Sequence, residues 1–206
     1  MRLPAAPVVL AGALAAGCAP VFSDLQSARM LPPGAVEVTP AVGTTWVSDA
    51  GDDGGRVQDQ LGAQTGYGLT RSVELRARYE RVRVGDEGGA NVAALGAKVA
   101  LVRDRLAVYV PVAIAFDSSA GSPAFAAQPA LIATFDAGAF VELNPSVKYT
   151  VPINDADGFR GLALGLGLGF GPRDAAWKVR PEAGVFFGRN DTTWYQATLG
   201  VSLRPR

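Results

Sequence analysis

Between Gly161 and Gly171 the chain reads GLALGLGLGFG, with Leu162, Leu164, Leu166, Leu168 and Phe170 at even positions and Gly or Ala at odd ones. Alternation this strict is a strand pattern, because successive side chains leave a pleated strand on opposite faces. Turning the leucines into a soluble core would leave a row of glycines facing water, where they stabilise a strand poorly. Turning them outward puts leucine against lipid and leaves room inside a narrow barrel. The stretch therefore predicts a lipid-facing strand.

The same period recurs along the chain. Segments of about 11–14 residues, a length suited to tilted membrane strands, fall at 35–48, 57–69, 73–84, 91–102, 106–116, 124–135, 139–151, 159–170, 176–188 and 192–204. They predict an all-β fold, a closed antiparallel up-and-down transmembrane β-barrel of about ten strands. Longer connections (48–56, 85–90, 117–123 and 152–158) alternate with tight ones (70–71, 103–105, 136–138 and 171–174). Long loops outside and short turns on the periplasmic side follow the usual rule for such barrels. Pro40, Pro111, Pro129, Pro145 and Pro181 interrupt the proposed strands. A proline lacks a ladder donor, so bulges are expected at these positions.

One face of each strand is apolar and the other small or charged. A charge on the lipid face costs roughly 2–4 kcal/mol for Arg or Lys at mid-membrane, so the charges are expected inside. The candidate lumen set is Glu37, Glu74, Arg76, Arg78, Glu80, Lys98, Glu142, Lys148, Lys178, Arg180, Glu182 and Arg204. In a narrow barrel these ions should pair, since buried charges need partners. On the apolar face, aromatics cluster toward strand ends and predict two interfacial girdles. Trp46, Tyr79, Phe116, Phe125, Tyr149, Phe187 and Tyr195 are assigned to the outer rim, and Tyr67, Phe135, Phe170 and Trp177 to the periplasmic rim.

The chain opens with Met1-Arg2, an apolar run and small residues, the layout of a signal peptide. Its end, Leu14-Ala15-Ala16-Gly17-Cys18, resembles the lipobox of bacterial lipoproteins, although Leu stands one place earlier than usual. That resemblance implies acylation of Cys18, the chain's single Cys, and Ala19 after it fits export to the outer membrane. The expected organisation is a signal peptide at 1–17, a lipidated tether at 18–34 and the barrel at 35–206. The tether ends in Pro-Pro-Gly, with a turn expected at Gly34. An anchor at Cys18 on the periplasmic side makes strand 1 start there and puts the long loops outside. Past the lipobox, the segment lengths, the loop asymmetry and strands such as QPALIATF and RPEAGVFF resemble small bacterial outer-membrane β-barrel proteins.

Chemistry is sparse. The chain has no His, and outer-membrane enzymes resembling omptin proteases or barrel phospholipases depend on one, so no enzyme is expected. The glycine spacing at 161–171 lacks the following helix that a dinucleotide site requires. Formal net charge is +0, which gives no basis for nucleic-acid binding. No cofactor or metal is expected, and a monomer is. Acidic loop residues (Asp49, Asp52, Asp53, Asp86, Glu87, Asp117, Asp155, Asp157 and Asp191) read as solvated charge, or as holders of cations bridging to lipopolysaccharide phosphates, with Arg81 and Arg83 touching phosphate directly. The expected partners are outer-membrane lipid and lipopolysaccharide. The sequence thus predicts a structural or envelope-associated outer-membrane lipoprotein with an ion-paired lumen. Its alternatives are a narrow passive channel for small polar solutes and a lipid-anchored soluble periplasmic barrel binding an apolar ligand.

Overall fold

The computed structural model describes residues 23–48, 55–84, 88–116, 123–154, 160–173, 175–188 and 192–205. Cys18, the signal peptide and the acidic loop residues named above lie outside them. Twelve strands run β1 (Val36–Ser48), β2 (Gly55–Gly68), β3 (Val73–Val84), β4 (Gly88–Val102), β5 (Leu106–Phe116), β6 (Ala124–Ala127), β7 (Ala130–Ala133), β8 (Phe135–Asp136), β9 (Val141–Pro152), β10 (Gly161–Phe170), β11 (Trp177–Phe187) and β12 (Thr193–Leu203). Strands β6, β7 and β8 meet β9 in one continuous register, so they are pieces of a single stave and the wall has ten. Each stave is antiparallel to its neighbours, and β1 pairs with β12 to close the barrel.

The polarity is that of a membrane barrel turned inside out relative to a soluble one. Leu164 and Leu166 are 44% and 51% exposed, whereas Glu74 and Lys98 are 0% exposed. All eleven girdle aromatics point outward, and ten of them sit near a strand end. Tyr79 is the exception: it lies midway along β3, where its hydroxyl donates to Asn91 Oδ1 at 2.9 Å. The alternating glycines of β10 face in and make room. A Cβ on Gly169 would sit 2.5 Å from Glu142 Cγ, and one on Gly165 2.7 Å from Ser146 Oγ.

The prolines are accommodated by gaps in the ladder instead of the expected bulges. Pairing of β1 with β12 lapses between Val38 and Ala41, around Pro40, while β1 pairs with β2 straight through Pro40↔Ala63. Pro181 interrupts only the β10 side and keeps its pairing to Leu199 on β12. Pro145 interrupts only the β7–β8 side and keeps Leu166 on β10. Pro111 and Pro129 share one gap, between β5 and the β6–β7 stave. The ladder from that stave to β9 lapses at Gln128 and Pro129 too, where the Tyr149 amide still donates to the Pro129 carbonyl at 3.0 Å. In each case the register resumes unshifted. An antiparallel residue directs its N–H and C=O to a single neighbour, so a proline can forfeit one side and leave the other intact. The register does shift in two places, at Thr45/Trp46 and Ala100/Val102, and neither is at a proline.

Tight turns join the staves at one end. Thr70 Oγ1 accepts from the Ser72 and Val73 amides at 3.1 and 3.0 Å, and Asp104 adopts φ 58° in the β4–β5 turn.

Candidate functional site

The segment before β1 was expected to be a tether, but residues 23–31 run inside the barrel, with Pro32 and Pro33 exposed at its mouth. The Pro32–Ala35 turn sends them there. The Ala35 amide donates to the Pro32 carbonyl at 3.0 Å, and Gly34 holds φ 80°, a conformation suited to glycine. Gly68 faces this turn so closely that a Cβ there would lie 2.2 Å from the Pro32 carbonyl oxygen. From the tight-turn mouth the segment climbs the lumen, with Ser23, Asp24, Leu25, Gln26, Ser27, Ala28 and Leu31 all buried.

The wall grips this plug mainly by its backbone. The amides of Asp24 and Leu25 donate to the two oxygens of Glu182 at 2.7 and 2.6 Å. The Ser23 amide donates to Gln196 Oε1 at 2.9 Å, that of Ala28 to Thr134 Oγ1 at 2.7 Å, and that of Leu31 to Glu74 Oε2 at 3.0 Å. In the other direction, Arg78 donates to the Ser23 carbonyl at 2.8 Å, and Lys98 donates to the carbonyls of Ser27 and Arg29 at 3.2 and 2.9 Å. Two plug side chains add ion pairs: Asp24 with Lys148 at 2.7 Å, and Arg29 with Asp136 and Glu142. Ala28 packs on Ala107, Tyr109, Ala130 and Ile132.

Around and below the plug lies a dense charge network. Glu37 accepts from Arg76 and Arg204, both at 2.9 Å. Glu74 pairs with Arg76 at 2.5 Å and Lys98 at 3.1 Å. Glu142 takes Lys178 at 2.7 Å and Arg180 at 2.9 Å, besides Arg29. Arg180 also donates to Ser202 Oγ at 2.8 Å. Arg78 and Glu80 pair along their own strand at 2.7 and 3.0 Å. All twelve candidate lumen residues therefore face inward. Ten are buried, Arg78 is half-buried, and Arg204 sits at the mouth.

Toward the long-loop end the lumen carries a neutral cluster. Thr45 Oγ1 accepts from the amides of Gln58 and Gln60 at 3.1 Å and of Gln196 at 3.3 Å, and Gln196 donates to Gln60 Oε1 at 2.7 Å. Beyond it Val47, Ala163, Phe186 and Trp194 close into an apolar layer, with Val82, Val92 and Ala115 forming a second cluster. An interior built to bind an apolar ligand needs apolar walls throughout, and the charged half is the reverse of that.

The sequence reading missed the plug, Asp24, Arg29, Thr134 and the Thr45–Gln58–Gln60–Gln196 cluster. One signal was present: the candidate lumen set holds seven cations against five carboxylates. Asp24 supplies the missing partner of Lys148. A cavity of about 300 Å³ at the tight-turn mouth is lined by Asp136, Glu142, Arg173 and Lys178 among others, and its acids are already paired with Arg29 and Lys178.

No family model and no curated protein sequence matches the chain. Among solved structures, it is similar to the translocator domain of the autotransporter NalP from Neisseria meningitidis (TM-score 0.50, 10% identity, over 83% of this chain and 88% of that one). It also matches Ail, the attachment invasion locus protein of Yersinia pestis (TM-score 0.41, 12% identity, covering 84% and 99%). A third match is the N-terminal β-barrel domain of Pseudomonas aeruginosa OprF (TM-score 0.38, 16% identity, covering 85% and 100%). At such low identity, the NalP likeness bears on the fold alone: a closed antiparallel barrel.

Proposed function

We infer that this chain is an integral outer-membrane barrel of structural, envelope-associated type, monomeric and without enzymatic activity, whose lumen is sealed by its own N-terminal segment. Its apolar girth supports the membrane setting, and the alternation of long and tight connections supports placing the long loops at the cell surface. Outer-membrane lipid and lipopolysaccharide are the partners that such a setting supplies. The lipobox adds acylation at Cys18.

One observation carries the sealed reading: the passage that a channel would need is filled by residues 23–31, held on eight backbone hydrogen bonds. Planar-bilayer recording from the pure protein tests it. The expected trace is silent, and steady single-channel steps from the intact chain would overturn the reading.

A second reading, a narrow channel for small polar solutes, is favoured by the polar atoms left without a protein partner beside the plug. They include Ser23 Oγ, Asp24 Oδ2, both amide atoms of Gln26, Gln64 Nε2, Arg76 Nη1 and Asn144 Nδ2. Buried groups of this kind weaken a seal. On this reading, steps appear under applied voltage and become frequent after Glu182→Ala.

A further inference from the structure

The outward face of the wall is almost free of charge, and the exceptions are gathered in one place. Along β3 that face runs Val73, Leu75, Ala77 and Tyr79, then turns to Arg81 and Arg83 at the long-loop end, both exposed. Beside them Asp59 on β2 is the only other ion to share this face among the described strand interiors, with Arg56 reaching it from the strand end. Register places Arg83 opposite Asp59 and Gly89, and Arg81 opposite Leu61 and Asn91. Asp59 is already taken, since Arg56 donates to both its carboxylate oxygens. Neither Arg81 nor Arg83 makes an ion pair or a side-chain hydrogen bond with any described residue.

Two guanidinium groups with no ion pair among the described residues, on a lipid-facing strand, are costly at mid-membrane and tolerable only at headgroup depth. Same-face neighbours on a strand stand roughly 6.7 Å apart, so each guanidinium can present its fork of donors to a separate anionic oxygen cluster. Phosphate suits that fork best, because its oxygens accept two parallel hydrogen bonds.

We propose that Arg81 and Arg83 form a binding site for the phosphate groups of a phosphorylated lipid in the leaflet at the long-loop end. This rests on the membrane reading above and adds to the sequence expectation for these two arginines their place on the lipid face of β3, apart from the ion pair at Asp59, and the leaflet they serve.

The test titrates the full chain, folded in neutral detergent, with phosphorylated lipid A, using native mass spectrometry to count bound lipid. Arg81→Gln/Arg83→Gln is compared with the wild type, and lipid A stripped of phosphate and inorganic phosphate serve as further probes. Losing two charge-assisted contacts should weaken phosphorylated lipid A binding by about tenfold or more, while both proteins bind the stripped lipid alike. Equal binding of phosphorylated lipid A by both proteins would overturn the site. Inorganic phosphate saturating the arginines, with the lipid adding nothing, would overturn the lipid as its source. Insertion into zwitterionic vesicles and heat-modifiable gel mobility are scored separately. A wild type that does neither fails the membrane reading itself, whereas a barrel that inserts and shows no arginine effect fails only this proposal.

Discussion

In the tight-turn half of the lumen, Glu37, Glu74 and Glu142 each hold two or more cations. Nearer the long-loop end Thr45 gathers three amides beneath Phe186 and Trp194, and the ions that reach that level, Glu80 opposite Val92 and Lys148 opposite Ala163, are paired with Arg78 and Asp24. The difference follows the plug. Where residues 23–31 fill the bore, backbone N–H and C=O groups supply extra donors and acceptors, and Glu74, Glu182, Arg78 and Lys98 use them. Past Ser23, whose amide still reaches Gln196, the described walls close on each other with Phe186 and Trp194 among neutral side chains. A charge there would meet desolvation without compensation.

The strongest challenge to this contrast is Glu142→Ala, which strands Lys178 and Arg180 and frees Arg29. Urea unfolding of the barrel in vesicles, followed by gel mobility, should show a loss of about 4 kcal/mol. A loss below that of an ordinary surface change would mean the network contributes little. Next is Phe186→Ala, which opens the apolar layer. It is expected to cost about 3 kcal/mol and to leave the plug's protection from protease unchanged. Glu182→Gln keeps one acceptor but presents an NH2 to the second plug amide, for a loss of about 2 kcal/mol. Its distinguishing readout is faster labelling of a thiol introduced by Ala28→Cys, read against Cys18→Ser to remove the native thiol. Smallest is Thr45→Val, about 1 kcal/mol, with no change in thiol labelling. If Thr45→Val loosened the plug as much as Glu182→Gln, the two halves would be one mechanical unit.

The wall was legible because it obeys a period. In β3 a one-residue slip would carry Glu74, Arg76, Arg78 and Glu80 into lipid, so the pattern in the letters had to match the pattern in space. The prolines were legible as trouble but not in their remedy, since the choice between a bulge and a one-sided gap depends on which neighbour each N–H would have faced. The plug left almost no trace for a physical reason. Eight of its holds are on main-chain atoms, which every residue type carries, so Ser23, Asp24 and Leu25 could dock on Gln196 and Glu182 without any motif. Leu25 even takes φ 48°, a conformation its side chain does nothing to advertise.

The plug has a direction. It enters by the mouth where β1 begins and reaches Gln196, three residues from the far end of β12, so the amino-terminal end of the described chain points toward the long connections. Cys18 lies five residues before Ser23, a span of at most about 18 Å when fully extended. Returning to the opposite leaflet would mean descending from Gln196 to Leu203, roughly 18 Å along the tilted wall, beside a bore already filled, and then rounding the rim. By reach alone, a lipid on Cys18 and a seated plug would fit together with the lipid in the leaflet at the long-loop end. Fatty acid in the inner leaflet would have to drag residues 23–31 out with it. Acylation would then double as a pull cord on the seal, and protease access to the amino terminus from the cell exterior reports which way the cord hangs.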